Sequence, residues 1–340
     1  MSNPFPLFAP GSDWETVQAT LVASELSDGL PLVIPTEPNL NQMLGETTHP
    51  KHVYGHVPPL FGELTPIAVA YQCVLAGCRP GAMPTIFTGL EASLDDAFNL
   101  LGIATTTGTV AVGLIIHGPQ RDRLGVNHST NCLGPGNQAN ATLGRALSLC
   151  VHNIAGAKPG VGDMATMGQP GKYGFCVAEA DHDSHPNFLA RRERAPDTDA
   201  VSVFGASGTL EMLPDGKGDG PERVLDPITR CVTAAHSASG ANRKGASSEH
   251  LVLLPPECAT VLGAHGWTLN DAARYVVEHT HSLDDGCTAI ERPDQLSIVI
   301  TGGPGIKMTY VPLWGGGTSV ITRALRDLNT APDQPERCSR

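Results

Sequence analysis

Apolar positions along this chain fall into short unbroken runs separated by glycine, proline and polar residues. Val110 to Ile116 has strand length and β-branched content and stops at His117-Gly118-Pro119, which predicts a strand. Leu251 to Leu254 and Leu296 to Thr301 read the same way, as do Ala200 to Gly205, Tyr173 to Glu179 and, more briefly, Leu32 to Ile34. Helices announce themselves by their starts. Ser12 followed by Glu15 has capping-box spacing, predicting a helix to about Leu26. Thr65-Pro66 supplies an N-cap and a first-turn proline for a helix ending near Gly77. Further helices are predicted at about Asn39 to Leu44, from Pro80 to Leu94, Asn137 to Asn153, Asp226 to Ser237, Pro256 to Ala264, Asn270 to His281 and Ser319 to Leu328. Loops take the His-, Pro- and Gly-rich stretch 51–66, the glycine-rich stretch 158–172, the charged segment Arg191 to Thr198, the turn-rich 213–221 and the polar tail to Arg340.

Two stretches look alike. VGLIIHGP, ending at Pro119, is followed by TLGRAL; SIVITGGP, ending at Pro304, is followed by VITRAL. Each is preceded by two predicted helices, so the pattern reads as a duplicated helix–helix–strand–Gly-loop–helix unit. The fold expected is α/β, with two pseudo-repeated lobes whose strand-end glycine loops face a shared cleft. The corresponding divisions are 1–156, a loop-rich connection 157–225, and 226–340.

Composition narrows the function. The chain has 340 residues, 41% of them apolar, which suffices for a sizeable core. Its 38 Gly and 28 Pro imply extensive loops, and a net charge of −12 argues against a nucleic-acid binder. No apolar run is long enough to span a membrane. The start, MSNPFPLFAPGSDW, lacks the basic-then-apolar pattern of a signal peptide. Nine scattered cysteines, with no C-x-x-C pair, fit reduced packing residues in a cytoplasmic protein.

The candidate chemistry concentrates after the first strand. A Gly-rich turn at the start of a helix leaves backbone N–H groups for an anion, so Gly134, Gly136 and Asn137 are candidate substrate-binding positions. Asn127 and Asn131 in the same loop would orient the substrate, and His128 or His117 would move protons. Cys132 is the best candidate thiol, because a helix N-terminus lowers a thiol pKa; the plainer reading of it is an inert small residue in a loop. Lys172, in PGKY, is a candidate carboxylate or phosphate contact, and Gly303 and Gly305 form the corresponding loop of the second unit. His182 and His185 flank a short acidic loop, and His52 and His56 stand four apart, but neither pair has a metal-site spacing. Walker, H-E-x-x-H, G-x-S-x-G and post-strand G-x-G-x-x-G patterns are absent, so no cofactor is assigned.

The stretches LVIPTEPNLNQML, TPIAVAYQCVLAGCRPGAMP, LGPGNQANATLGRAL and TMGQPGKYGFCVAEA resemble a bacterial family that accompanies the small UGSC-motif (seleno)proteins. The likeness covers about residues 30 to 325; the UGSC motif itself is absent, making this the large companion type. That resemblance implies a cytoplasmic bacterial enzyme or enzyme subunit with reductive chemistry and a thiol or selenol partner protein. Three readings follow. The first is an enzyme acting reductively, with that partner, on a small polar or anionic molecule. The second is a stand-alone hydrolase or lyase using histidine and carboxylate, with or without a metal, drawn from His117, His128, Asp163, Glu179 and His182. The third is a non-catalytic binding subunit. A homo-oligomer is expected.

Overall fold

The computed structural model describes residues 5–216, 218–238, 249–280 and 289–330. Cys287, Cys338 and the polar tail beyond residue 330 lie outside them. The protein is α/β. The N-terminal third is helical: α1 (Trp14–Ala23), α2 (Glu37–Leu44), a small hairpin of β1 (Gly55–Val57) and β2 (Gly62–Leu64), then α3 (Pro66–Ala76), α4 (Met83–Ala92) and α5 (Leu100–Thr105). Next come β3 (Ala111–His117), α6 (Gln120–Leu124), α7 (Gln138–Asn153), β4 (Cys176–Ala178), β5 (Ala200–Ala206) and β6 (Leu210–Met212). The rest is α8 (Glu222–Ala238), β7 (His250–Leu254), α9 (Pro256–Ala264), α10 (Leu269–His279), β8 (Leu296–Ile300), β9 (Met308–Pro312) and β10 (Ile321–Ala324).

Several starts follow the expected chemistry. Thr65 caps α3 through the Ala68 N–H, and Gly77 ends it in the left-handed region. Thr36 caps α2 in the same way. The N-terminal cap differs: Asp13, not Ser12, accepts the Thr16 N–H, because the carboxylate sits one residue closer to the first turn.

Two four-stranded sheets form the centre, in the orders β10-β5-β3-β4 and β6-β9-β7-β8. In the first, β3 runs parallel to β4 and antiparallel to β5; in the second, β7 runs parallel to β8 and antiparallel to β9. In each sheet a β-helix-β crossover is followed by a returning antiparallel strand, so that β3 corresponds in place to β7 and β4 to β8. The sequence likeness between β3 and β8 is thus offset by one strand, and VITRAL holds a strand, β10, where TLGRAL is helix α7. The expected last helix, Ser319 to Leu328, is replaced by β10 because β-branched Ile321 and Thr322, with Arg323 and Ala324, pair with the open edge of β5. Each sheet draws a strand from a distant part of the chain: β10 returns to the first sheet, and β6 joins the second.

The layers are helix, sheet, sheet, helix. Val112, Leu114 and Ile116 of β3 and Val201 and Val203 of β5 pack outward in the core that holds α3, α4 and α7. Val252, Leu254 and Tyr310 pack outward in the core that holds α8, α9 and α10. The alternate residues meet between the sheets: Ile115, Val177 and Phe204 face Leu251, Leu253, Val299 and Val311. Period-two alternation thus gives each strand two apolar faces, one per layer. Gly113 is required by this layer, because a Cβ there would lie 2.3 Å from the Phe204 ring. The expected inter-lobe cleft is consequently a dry core over most of its area.

Candidate functional site

Sequence order scatters the candidate residues, and the fold sorts them into three places. The first is the loop before α7. Its asparagines are consumed in holding the loop together. The Asn127 side chain accepts from Ser129 N–H and donates to Thr130 O and the Asn137 side chain. Asn137 donates to Asn131 O and Gly134 O, and Asn131 donates to Pro135 O. Most of the amide groups of Asn127 and Asn137 are thus spent within the loop, while the exposed Asn131 commits one donor to Pro135 O. Gly134 lets the loop close on Asn131, and Gly136 adopts φ +94° at the turn.

The two glycine loops do meet. Gly302 N–H donates to His128 O at 3.0 Å, and a Cβ on Gly303 would lie 2.2 Å from Thr130 Oγ1. Gly305 N–H donates to the Glu257 carboxylate at 2.8 Å. The contact is backbone packing. The His128 ring points elsewhere, 4.0 Å from Asp122. Cys132 is turned into the inter-sheet core beside Thr301, and burial pushes its thiol pKa up, not down. Its desolvation outweighs the opposing hydrogen bonds from Thr301 and the local backbone, so the shift runs opposite to the lowered thiol pKa expected of it.

The second place is the far segment 158–172. Lys172 forms an ion pair with Asp163 at the wall of a cavity of about 760 Å³.

The third place is one end of the inter-sheet layer. By strand alternation, the inner face of β3 finishes on His117, that of β5 carries Ser202 next to Phe204, and that of β10 carries Thr322 opposite Ser202. Polar residues here replace the apolar ones further along. Glu179 follows β4 directly, and its N–H donates to Ile116 O at 3.2 Å, which aims its side chain at His117. His117 Nδ1 lies 3.0 Å from Glu179 Oε2, and His117 Nε2 lies 2.8 Å from Ser202 Oγ. Ser202 Oγ lies 2.7 Å from Thr322 Oγ1. His117, Glu179, Ser202 and Thr322 are exposed by only 1%, 3%, 0% and 7%. A carboxylate only accepts, so His117 Nδ1–H donates to Glu179. Its Nε2 is then left to accept from Ser202, which in turn accepts from Thr322. The other Glu179 oxygen accepts Phe188 N–H at 2.7 Å, and Arg191 stands 3.9 Å away.

The charged segment that begins at Arg191 is not a freely solvated loop: Arg191 and Arg192 bury most of their length at this end. Burial lowers the Arg191 guanidinium pKa to about 10 and pushes that of Arg192 down as well. Arg192 donates to Ser297 Oγ at 2.9 Å and lies 3.9 Å over the Phe188 ring, which itself stacks on His117 at 5.2 Å. Glu249 accepts Val320 N–H at 2.9 Å, and burial raises its carboxyl pKa.

Thr322 reaches a pocket of about 770 Å³ shared with Arg192, Arg194, Arg323 and Arg326. Arg326 pairs with Glu91 at 2.7 Å and Arg323 with Asp95 at 3.3 Å. Among the described residues, Arg192 and Arg194 form no ion pair. His117 and Glu179 were both legible as candidates; Ser202, Thr322 and the arginines were not, since no local spacing links them.

His182 and His185 fasten their loop to α9 instead, through Thr260 and Ala259 O. Among the described residues, no three His, Cys, Asp or Glu side chains converge as a metal-ligand set. No helix is long and apolar enough to cross a membrane among them. No protein-family model matches the chain, and no curated protein matches it.

Proposed function

We propose that this protein is an enzyme that performs acid–base chemistry, hydrolysis or elimination, on a small anionic molecule bound in the arginine-lined pocket. The observation that carries this reading is the unbroken hydrogen-bond chain from buried Glu179 through His117 and Ser202 to Thr322 at the pocket wall. In the forward direction Thr322 takes a proton from the attacking water, or from the substrate carbon in an elimination, as it passes its own to Ser202. Ser202 passes its own proton to His117 Nε2. Glu179 holds the ring in the accepting tautomer and stabilises the imidazolium that forms. The relay then runs in reverse and delivers a proton to the leaving group as its bond to the substrate breaks. Arg192 and Arg194 hold the substrate's anionic group, and burial of the chain strengthens each electrostatic step. Reductive chemistry with a thiol or selenol partner finds no support at Cys132, which is buried and whose thiol pKa is raised.

The test is a turnover screen with small carboxylate- and phosphate-bearing esters, amides and eliminable acids. His117→Gln should lower kcat by roughly 10²–10⁴-fold. Arg194→Ala should raise KM about tenfold or more while leaving kcat nearly unchanged. Retention of full kcat by His117→Gln would sink the reading.

A further inference from the structure

The geometry points to a second binding site, independent of the proposed reaction, for an apolar amino acid in the cavity beneath residues 158–172. This cavity, about 760 Å³, lies at the outer side of the first sheet, at the beginning of β3. Its size falls in the range that holds small molecules. Ile103, Val110, Val112 and Val151 give it an apolar floor and wall.

Charge decides the ligand class. Lys172 and Asp163 present one cation and one anion side by side in the lining. Asp163 also accepts Ala165 N–H at 3.1 Å, which fixes its carboxylate. The Lys172 ammonium has three donors, and Asp163 is its one ion-pair partner among the described residues. Asp28, also in the lining, is matched by a two-pronged bond from Arg145, with both contacts at 2.8 Å. With Asp28 already matched by Arg145 from outside the lining, Lys172 and Asp163 leave one plus and one minus there, and the His152 ring adds a further polar group. A lone carboxylate would meet Asp163, and a lone amine would meet Lys172. A zwitterion satisfies both: its ammonium to Asp163, its carboxylate to Lys172, and its apolar side chain on the valines and Ile103. Met167 lines the mouth and is 87% exposed, so it is placed to fold onto a bound side chain.

The experiment is isothermal titration of the full chain with L-leucine and L-phenylalanine, beside isocaproate and isopentylamine, which keep the apolar body of leucine and one charge each. The expected result is saturable binding of an amino acid, with each single-charge analogue weaker by about tenfold or more. Lys172→Met and Asp163→Asn should each weaken the amino acid by a similar factor. Because that pair also ties down the segment, melting curves accompany each variant. Ala104→Phe fills the floor while leaving the pair intact, and should abolish binding. Equal binding of a single-charge analogue, unchanged binding by Lys172→Met, or no binding of any of the four ligands would overturn the assignment. None of these outcomes touches the His117 chain, whose variants should bind the amino acid as the parent does.

Discussion

Replacing Glu179 with Gln tests the polarity of the buried chain without needing a substrate. Glu179 spends one oxygen on Phe188 N–H at 2.7 Å and the other on His117 Nδ1 at 3.0 Å. Glutamine has one oxygen. If that oxygen stays with the fixed backbone N–H, the amide NH₂ faces His117 Nδ1, and the ring must accept there. The proton then moves to Nε2, which donates to Ser202, and every bond out to Thr322 reverses. An imidazole with Nε2–H cannot serve as base toward the pocket. The expected loss of kcat is on the order of 10³–10⁴-fold, as for a wrong tautomer in a Ser-His-Asp triad, or roughly 4–5.5 kcal/mol. Arg191, 3.9 Å away, also loses its counter-charge, so unfolding stability should fall by about 3–5 kcal/mol. Nitrogen-15 NMR of histidine-labelled protein reads the tautomer directly, with His117 identified by the signal missing in His117→Gln. Protonation of Nδ1 in the Glu179→Gln protein would refute the reasoning.

Two further outcomes follow from other parts of the fold. His250 is buried against Tyr310 OH at 2.7 Å, and burial pushes its pKa down from 6.5 to about 4. The unfolded chain therefore binds that proton first as pH falls: the stability is complete above pH 6.5 and declines toward pH 4, by about 3 kcal/mol in all. Urea melts at stepped pH should show His250→Gln flatter by one proton across that window, and equal slopes would exclude His250 as the source. Gly113→Ala places a methyl against the Phe204 ring and should cost about 1–3 kcal/mol of stability, with Phe204→Leu restoring part of it; a neutral Gly113→Ala would contradict the close packing of the two sheets.

What was legible in the sequence was local. The run ending at His117, the Thr65-Pro66 start, the helix after Gly136 and the strand at Leu251 all rest on neighbouring residues, and each stands within a few positions of its expected place. Pairing was not legible. Residues 319–328 carry a pattern compatible with either element, and the vacant edge of β5, over a hundred residues earlier in the chain, decided for strand. The site shows the same division. His117 and Glu179 could be suspected from residue type, but they are 62 positions apart, His117 and Ser202 are 85 apart, and Ser202 and Thr322 are 120 apart. The asparagine-rich loop shows the converse: its side chains stand close in sequence, and most of their amide donors are spent on one another and on the local backbone.

The place of β10 at the margin of the first sheet also sets an order of events during synthesis. β5 ends at Ala206 and its partner begins at Ile321, so 321 − 206 = 115 positions separate them. At about 5–20 residues per second, the ribosome needs roughly 6–23 s to deliver the partner. Through that interval a seven-residue strand, Ala200–Ala206, offers an unpaired edge, the kind that recruits foreign strands. Thr322 arrives with the strand that closes it, so the pocket end of the proton path is completed among the last acts of folding.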